Sequence, residues 1–327
     1  MSELRRDLIS GDWVIIAPAR AARPKFLDEK KKARKPTPKS TCPFEDLAAS
    51  GNMPLALYPH GANLKNWRIA VTQNKYPALA HGDRCSVPLH HGMYQMREGI
   101  GEHVLIIGRD HNKNFAELDL DGAEAIFKVF QDRYRAAAED PCVKYATPFC
   151  NWGPLAGASV WHPHYQMIAT PEIPSHTLHS LRGSENYFKK NRRCARCDVI
   201  KFEQKEKKRI FIENAHAIAF APYASKFPFE LAIAPKKHFP DFSKTPDTVI
   251  RATASLLQSA MKHMKKNLND PDLNFLIHSA PVDGKRYSHH HWHIEISPRI
   301  SIPAGFEFST GIDINMMDPE RAIQILK

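Results

Sequence analysis

The chain has 327 residues, 43% of them hydrophobic and 25% charged, which is typical of a globular protein and excludes wholesale disorder or a collagen-like fibre. No apolar run is long enough to span a membrane, and Met1 to Asp7 lack the apolar core of a signal peptide, so we expect a soluble, cytoplasmic protein. The net charge is +11, and six basic residues lie between Lys30 and Lys39. We interpret that stretch as a solvated loop, with a surface for phosphorylated or nucleic-acid partners as the alternative. No nucleic-acid recognition motif adjoins this stretch, so we do not expect a nucleic-acid partner.

The sequence pattern of the first half predicts two strands, a helix and a third strand, in that order along the chain. Apolar runs predict strands near 68–72 and 103–107, the second of which leads to His111. Asp121 and Glu124 form a capping box, which predicts that a helix begins there. The third strand contains the sequence H-P-H-Y-Q at 162–166. Alternation on a strand places both histidines and the glutamine on one face.

The second half repeats this order. Strands are predicted near 209–212 and 229–234, followed by His238, and a helix is predicted from Pro246. The sequence H-W-H-I-E at 291–295 then matches H-P-H-Y-Q. This internal duplication predicts an α+β fold of two half-domains, each with an antiparallel sheet and packed helices. We place the first half at 1–172, a linker at 173–193 and the second half at 194–327.

The cysteines favour metal binding over disulfides. Without an export signal, six cysteines do not indicate a disulfide framework, and we expect Cys85, Cys142 and Cys150 to pack as small apolar groups. Cys194 and Cys197 have the C-x-x-C spacing of a metal site. Cys42 begins C-P-F-E, which looks like the same motif with Glu45 in place of the second cysteine.

The H-P-H-Y-Q segment favours a histidine nucleophile that attacks phosphorus. Pro163 stiffens the strand that aims His164, and an imidazole is a good nucleophile when its other nitrogen is held by an acceptor. The preceding small-residue loop, which includes Gly157 and Ser159, can bring backbone N–H groups and a hydroxyl close to phosphate oxygens. Gln166 can donate a hydrogen bond without adding charge.

The sequence G-A-S-V-W-H-P-H-Y-Q resembles the active-site signature of the galactose-1-phosphate uridylyltransferase family, a branch of the histidine-triad superfamily. Further blocks resemble the family in order along essentially the whole chain, among them Q-N-K-Y-P-A-L, C-A-R-C-D, P-K-K-H and G-F-E-F-S-T-G-I-D-I-N. The resemblance implies a duplicated histidine-triad-like fold, a homodimer, and a role in galactose metabolism.

The resemblance implies a ping-pong transfer through a nucleotidyl-His164 intermediate, with a nucleotide sugar and a sugar 1-phosphate as substrates. UDP-glucose:galactose-1-phosphate uridylyltransferase is the leading prediction. Ser159 and Gln166 would hold the nucleotidyl phosphate. The remaining implied substrate contacts are Arg20, Arg23, Asn74, Lys75, Tyr76, Asn151, Gly157, Phe306, Glu307, Thr310 and Asn315.

The resemblance also implies zinc in both halves. In the second half, Cys194, Cys197, His238 and His291 would form a closed structural site, with His278 and His293 as alternative ligands. In the first half the residues are Cys42, Glu45, His111 and His162. There, either Glu45 ligates through oxygen, or the site binds metal weakly or not at all.

Two other functions remain open at this point. One keeps the His164 chemistry in an adenylyl-transferring phosphorylase that acts on an ADP-sugar or a dinucleoside polyphosphate. Asp313 stands where the family pattern has an aromatic residue, which puts the acceptor sugar in question. The other is a zinc-binding scaffold without catalytic activity that holds nucleic acid through its basic stretch.

Overall fold

A computed structural model describes residues 1–22 and 36–327. In these ranges the first half contains nine strands and one long helix. Their bounds are β1 (Glu3–Arg6), β2 (Trp13–Ile16), β3 (Pro54–Tyr58), β4 (Ile69–Gln73), β5 (Leu89–His91), β6 (Tyr94–Met96), β7 (Glu102–Gly108), α1 (Leu120–Glu139), β8 (Tyr145–Trp152) and β9 (His164–Thr170).

The second half adds six strands and five helices to the described part of the chain. They are α2 (Ser175–Asn191), α3 (Ala195–Glu206), β10 (Ile210–Glu213), β11 (Ala217–Phe220), β12 (Leu231–Pro235), α4 (Asp247–Asn267), β13 (Leu273–His278), β14 (His293–Pro298), α5 (Gly305–Thr310), β15 (Asp313–Asn315) and α6 (Pro319–Leu326). None of the helices described combines the length and apolar character that a bilayer crossing needs.

The two halves share one ten-stranded antiparallel sheet, with the order β10-β11-β12-β14-β13-β8-β9-β7-β4-β3. Five neighbouring strands come from each half, and the halves meet where β13 pairs with β8. The α+β class and the antiparallel pairing are confirmed. Each half contributes an antiparallel set of five strands, and the pairing of β13 with β8 joins the two sets into one sheet.

Helices α1 and α4 contact each other and pack on the sheet, with an aromatic core between them. Phe127 and Phe242 pack edge to face within this core. The buried Gln131 crosses between the halves, because its Nε2 donates to the carbonyls of Phe242 at 3.0 Å and Thr245 at 2.9 Å. The α1 cap differs from the prediction: Asp119, not Asp121, accepts the N-terminal hydrogen bond, since its Oδ1 receives the N–H of Gly122.

The segment expected to be a linker, 173–193, forms a helix over most of its length. Its helical spacing is weak because only Leu181 and Ser184 are buried, which explains why no period is visible in the sequence. Nearby, β1, β2 and β15 form a small separate sheet that joins the two ends of the chain.

Two cysteines form a disulfide, contrary to the prediction that they pack as unlinked apolar groups. Cys85 and Cys142 are joined across a sequence separation of 57, with their Cα atoms 4.9 Å apart. Cys85 belongs to the excursion that carries the exposed β5–β6 hairpin, and Cys142 follows α1. The bond ties that excursion to the helix. Cys150 is buried and free, as expected.

Candidate functional site

Strand β9 presents His164 in one fixed orientation. The Nδ1 of His164 donates to the backbone carbonyl of His162 at 2.9 Å. A neutral imidazole carries one proton, so this bond leaves an unprotonated lone pair on Nε2, which a nucleophile requires. Pro163 lies between the two residues and restricts the backbone that sets this geometry.

Burial keeps the His164 ring neutral. Only 8% of the residue is exposed, and the ring of Phe44 packs edge-on at 5.3 Å. Desolvation lowers the pKa of His164, although the hydrogen bond to the His162 carbonyl acts in the opposite direction. The site can therefore offer an uncharged nitrogen nucleophile at neutral pH.

The loop that carries Ser159 is built by residues from both halves. Gly153 has a φ of 90°, and a Cβ placed on it would lie 2.3 Å from the carboxyl carbon of Asp272, so no other residue fits without rearrangement. The Asp272 Oδ2 accepts the N–H of Leu155 at 2.7 Å. The second half therefore shapes the loop that precedes the nucleophile. Ser159 lies exposed at its end.

Residues of the second half also orient the side chain of Asn151. Asn274 donates from Nδ2 to the Asn151 Oδ1 at 2.8 Å and to the carbonyl of Ala156 at 2.9 Å. The side-chain N–H groups of Asn151 are thereby directed toward Gly157, where a Cβ, if present, would lie 3.5 Å from the Asn151 Nδ2. Arg299 donates to the Oδ1 of Asn274 and holds that amide in turn. Asn151 and Gly157, both predicted to contact substrate, thus lie close together.

Gln166 lies beside a residue that the sequence patterns did not single out. The Oε1 of Gln166 is 2.9 Å from the Nε2 of His103, and the Nδ2 of Asn74 is 3.0 Å from the same nitrogen. The structure therefore brings Asn74 and Gln166 together through His103. Lys75 and Tyr76 follow in the same loop and are exposed, Tyr76 to 83%. In the sequence His103 is only the start of an apolar strand, and its diagonal position to Gln166 is set by the register of β7 against β9, which the sequence does not give.

The four predicted metal-binding residues of the first half converge. The candidate ligand atoms of Cys42, Glu45, His111 and His162 all lie within 4.8 Å of one another. His111 and His162 each donate from Nε2 to a backbone carbonyl, of Thr37 at 2.7 Å and of Gly108 at 2.6 Å. Their Nδ1 lone pairs consequently face the other ligands, as metal-bound histidines require.

The contact between His111 and Glu45 supports a cation at this place. The Nδ1 of His111 lies 2.9 Å from the Oε1 of Glu45. With Nε2 carrying the ring proton, two acceptors face each other, and such a contact needs a proton or a metal ion between them. Glu45 therefore fits as an oxygen ligand in place of the second cysteine. Burial raises the pKa of the Cys42 thiol, and a bound cation would favour the thiolate.

The second half contains the other predicted group. Cys194, Cys197, His238 and His291 also have ligand atoms within 4.8 Å of one another. The Sγ of Cys197 lies 3.5 Å from the Nδ1 of His238 and 3.4 Å from that of His291. A hydrogen bond from the Cys197 thiol lowers the pKa of Cys194, so one thiolate is favoured even without a cation. Two sulfurs and two imidazole nitrogens suit a tetrahedral zinc ion.

The second copy of the histidine motif lacks a free nucleophile. His293 occupies the position of His164 in the repeat, and its Nδ1 likewise lies 3.2 Å from the carbonyl of His291. Its Nε2, however, accepts a hydrogen bond from the Nη2 of Arg196 at 2.9 Å. His278 pairs with Glu295 at 3.3 Å. Both alternative second-half ligands are thus engaged with other side chains.

The predicted phosphate-binding arginines are described only in part. Arg20 lies in a 3-10 turn, Pro18–Ala22, and its Nε is buried with no hydrogen-bond partner among residues 1–22 and 36–327. Arg23 lies outside the described residues, as does the basic stretch except Lys39, which is exposed.

The C-terminal residues predicted to bind sugar phosphate separate into two groups. Phe306 is 44% exposed and Thr310 is exposed on α5, while the Glu307 carboxylate accepts the N–H of Ala304 at 3.0 Å. Asn315 is only 1% exposed, and its Nδ2 donates to the carbonyls of Ser225 at 2.9 Å and Phe227 at 3.1 Å. These contacts let Asn315 fix the C-terminal segment against the loop at Ser225 and Phe227.

Comparisons with known proteins place the chain among nucleotidyltransferase-type relatives. Residues 1–174 match the family model described as galactose-1-phosphate uridyl transferase, N-terminal domain, and residues 100–326 match a domain of unknown function, DUF4921. The chain is 32% identical to ADP-glucose phosphorylase of Arabidopsis thaliana over 99% of its own length and 92% of the relative. It is 26% identical to galactose-1-phosphate uridylyltransferase of Thermotoga maritima, over 100% and 98%.

A solved structure shows the same fold. The crystal structure of an ADP-glucose phosphorylase from Arabidopsis thaliana with bound ADP-glucose superposes with a TM-score of 0.84. The two chains are 29% identical in that superposition, which covers 100% of this chain and 98% of the other.

Proposed function

The chain belongs to the galactose-1-phosphate uridyl transferase family, and on this basis we propose that it transfers an adenylyl group from an ADP-sugar to inorganic phosphate through His164. The family makes the chain an enzyme of the nucleotidyltransferase type. The donor, the acceptor and the residue roles are the proposal. The observation that carries it is the buried, neutral His164, whose Nδ1 is held by the His162 carbonyl at 2.9 Å.

The reaction proceeds in two displacements at the α-phosphorus. First, the Nε2 lone pair of His164 attacks phosphorus, the bond to the bridging oxygen breaks, and the sugar 1-phosphate leaves with that electron pair. An adenylyl-His164 intermediate remains. A phosphate oxygen then attacks the same phosphorus, the N–P bond breaks and ADP is released. The free histidine is thereby restored, as in other covalent catalysis by a side-chain nucleophile.

Fixed hydrogen-bond donors surround the phosphoryl group in this proposal. Gln166 lies two residues after His164 on β9 and on the same face. Asn151, the Gly157 backbone and the Ser159 hydroxyl approach from the loop that the second half supports. Arg20, whose buried Nε has no partner in the described part of the chain, would pair with a phosphate. Such fixed donors stabilise charge that develops in the transition state.

Both ligand groups would hold zinc. The first, Cys42, Glu45, His111 and His162, would fix the backbone whose carbonyl holds His164. The second would stabilise the C-terminal half. In both, the zinc supplies structural cross-linking. We assign the catalytic half to 1–172 and the supporting half to 194–327, in a homodimer that exposes Phe306 and Thr310 for acceptor binding.

Two observations support phosphorolysis of an ADP-sugar over uridylyl transfer to a sugar 1-phosphate, the first through the donor and the second through the acceptor. The identity to an ADP-glucose phosphorylase, 32% over 99% of the chain, exceeds the 26% identity to the Thermotoga uridylyltransferase. Asp313 also departs from the aromatic residue of the sugar-acceptor pattern. Uridylyl transfer from UDP-glucose to galactose 1-phosphate is the second candidate, supported by the match of residues 1–174 to the uridyl transferase model.

Parallel assays distinguish the two candidates. The enzyme is incubated with ADP-glucose and inorganic phosphate, and separately with UDP-glucose and galactose 1-phosphate, and nucleotide products are measured. We expect ADP to form faster than UDP-galactose. Faster formation of UDP-galactose would favour uridylyl transfer to galactose 1-phosphate and overturn adenylyl transfer to phosphate as the main activity. No product from either pair, in protein that contains zinc, would overturn both.

A further inference from the structure

His103 lies where three elements of the site meet. On the paired strands β7 and β9, His103 stands opposite Ile168 and Leu105 stands opposite Gln166, so His103 and Gln166 are diagonal neighbours on one face. Only 7% of His103 is exposed. Its backbone carbonyl also accepts the N–H of Asn74 at 2.9 Å, which joins β7 to the loop after β4.

The hydrogen bonds of the imidazole fix its tautomer. The Nδ1 of His103 accepts the backbone N–H of Ala78 at 3.1 Å. A backbone N–H can only donate, so Nδ1 carries no proton, and the proton of the neutral ring is on Nε2.

Of the two described side chains at hydrogen-bond distance from the His103 Nε2, only Gln166 offers an acceptor for its N–H. The Nε2 of His103 has the Gln166 Oε1 at 2.9 Å and the Asn74 Nδ2 at 3.0 Å. The orientation of the Asn74 amide is fixed independently, because its Oδ1 accepts the N–H of Tyr76 at 2.9 Å. Its NH₂ group is a donor and cannot take the Nε2 proton. The N–H at Nε2 of His103 therefore donates a hydrogen bond to the carbonyl oxygen of the Gln166 side chain.

We propose that His103 is a positioning residue that makes Gln166 present its amide N–H groups, and not its carbonyl oxygen, to the phosphoryl group on His164. A rotated Gln166 amide would place an oxygen lone pair against phosphate oxygens and replace an attraction by a repulsion. The same ring holds Ala78, so one residue aligns the phosphate donor and the nucleotide loop. This inference rests on the proposed function, since it requires a nucleotidyl group on His164.

Single-turnover kinetics on variants of the full-length chain test the proposal. His103→Phe keeps a ring but removes both hydrogen bonds, while His103→Gln keeps one acceptor for Ala78 and one donor for Gln166. Release of glucose 1-phosphate in the first turnover is measured with ADP-glucose and with UDP-glucose, together with the dissociation constant of each. Thermal unfolding and zinc content are recorded for every variant.

We expect His103→Phe to slow the first turnover about 100-fold with a much smaller change in donor affinity, comparable to loss of a transition-state donor. His103→Gln should restore most of the rate. In a Gln166→Ala background, His103→Phe should reduce the first-turnover rate little further, because His103 acts through Gln166. If His103→Phe slows the first turnover equally in the wild-type and Gln166→Ala backgrounds, or does not slow it at all, the role of His103 is overturned. The proposed function would stand in that case. A wild-type enzyme that releases no glucose 1-phosphate would overturn the proposed function and this inference with it.

Discussion

The ring of His164 is held by the backbone carbonyl of His162, and the ring of His162 faces Cys42 and Glu45. One residue therefore contributes its carbonyl to the nucleophile and its side chain to the candidate metal site. In the proposed function, a metal ion bound in the first half would through this relationship help to align the Nε2 of His164.

Removing the oxygen ligand should release the first metal ion. Glu45→Ala deletes the carboxylate that contacts both His111 and His162, so we expect one zinc per chain to be lost and nucleotidyl transfer to slow at least about tenfold. Elemental analysis and steady-state rates measure both. Asp46→Ala, at the exposed neighbouring position, is the matched control. Full zinc content in Glu45→Ala would remove Glu45 from the ligand set.

The second metal site should contribute mainly to stability. Cys197→Ser replaces a sulfur that contacts His238 and His291, and we expect loss of one zinc and a lower unfolding temperature. The first-turnover rate per folded molecule should fall far less than for Glu45→Ala. Cys150→Ala, at a free cysteine outside both groups, controls for loss of a thiol. An unchanged zinc content in Cys197→Ser would contradict this assignment.

Close approach to Asp272, in addition to backbone strain, should make Gly153 irreplaceable. Gly153→Ala combines a positive φ with a Cβ 2.3 Å from the Asp272 carboxyl carbon, whereas Gly284 has a φ of 78° and open space around it. We expect Gly284→Ala to cost about 1 kcal/mol of unfolding free energy. Gly153→Ala should cost at least about 2 kcal/mol and also reduce activity. Equal losses of unfolding free energy in Gly153→Ala and Gly284→Ala, measured by denaturant unfolding, would show that the clash with Asp272 is relieved.

The buried Glu230 should make stability depend on pH. Burial, reinforced by the nearby Glu295, raises the pKa of Glu230. The native chain then binds a proton that the unfolded chain releases above about pH 4.3, so this group destabilises the fold increasingly as pH rises toward neutrality and beyond.

Glu230→Gln should remove this dependence, because a glutamine oxygen can still accept the N–H groups of Lys226 and Phe227 that reach one oxygen of Glu230. Its unfolding temperature should exceed that of the wild type by a margin that grows from about pH 5 to about pH 8. Glu139→Gln, at an exposed site, should show no such trend. A margin independent of pH would contradict the raised pKa.

Local spacing and residue types predicted the duplicated pattern, the Cys194/Cys197 pair and the Cys42/Glu45 pattern, while the histidine members of both metal groups, which are distant in sequence, came from the resemblance to the family. The sequence could not predict contacts set by tertiary pairing. The Cys85–Cys142 bond joins residues separated by 57 positions, and the fusion of the sheets depends on the register of Leu273 opposite Trp152. His103 was missed for the same reason, since its partners lie on two other elements.

A covalent nucleotidyl-His164 intermediate is the step on which the proposed reaction depends. The most direct test is intact-protein mass spectrometry after incubation with ADP-glucose or UDP-glucose without an acceptor, followed by peptide mapping. We expect an adenylyl adduct on His164 that is absent from His164→Ala and removed by inorganic phosphate. Zinc-loaded protein that carries no adduct with either nucleotide sugar, or carries one on a residue other than His164, would contradict it.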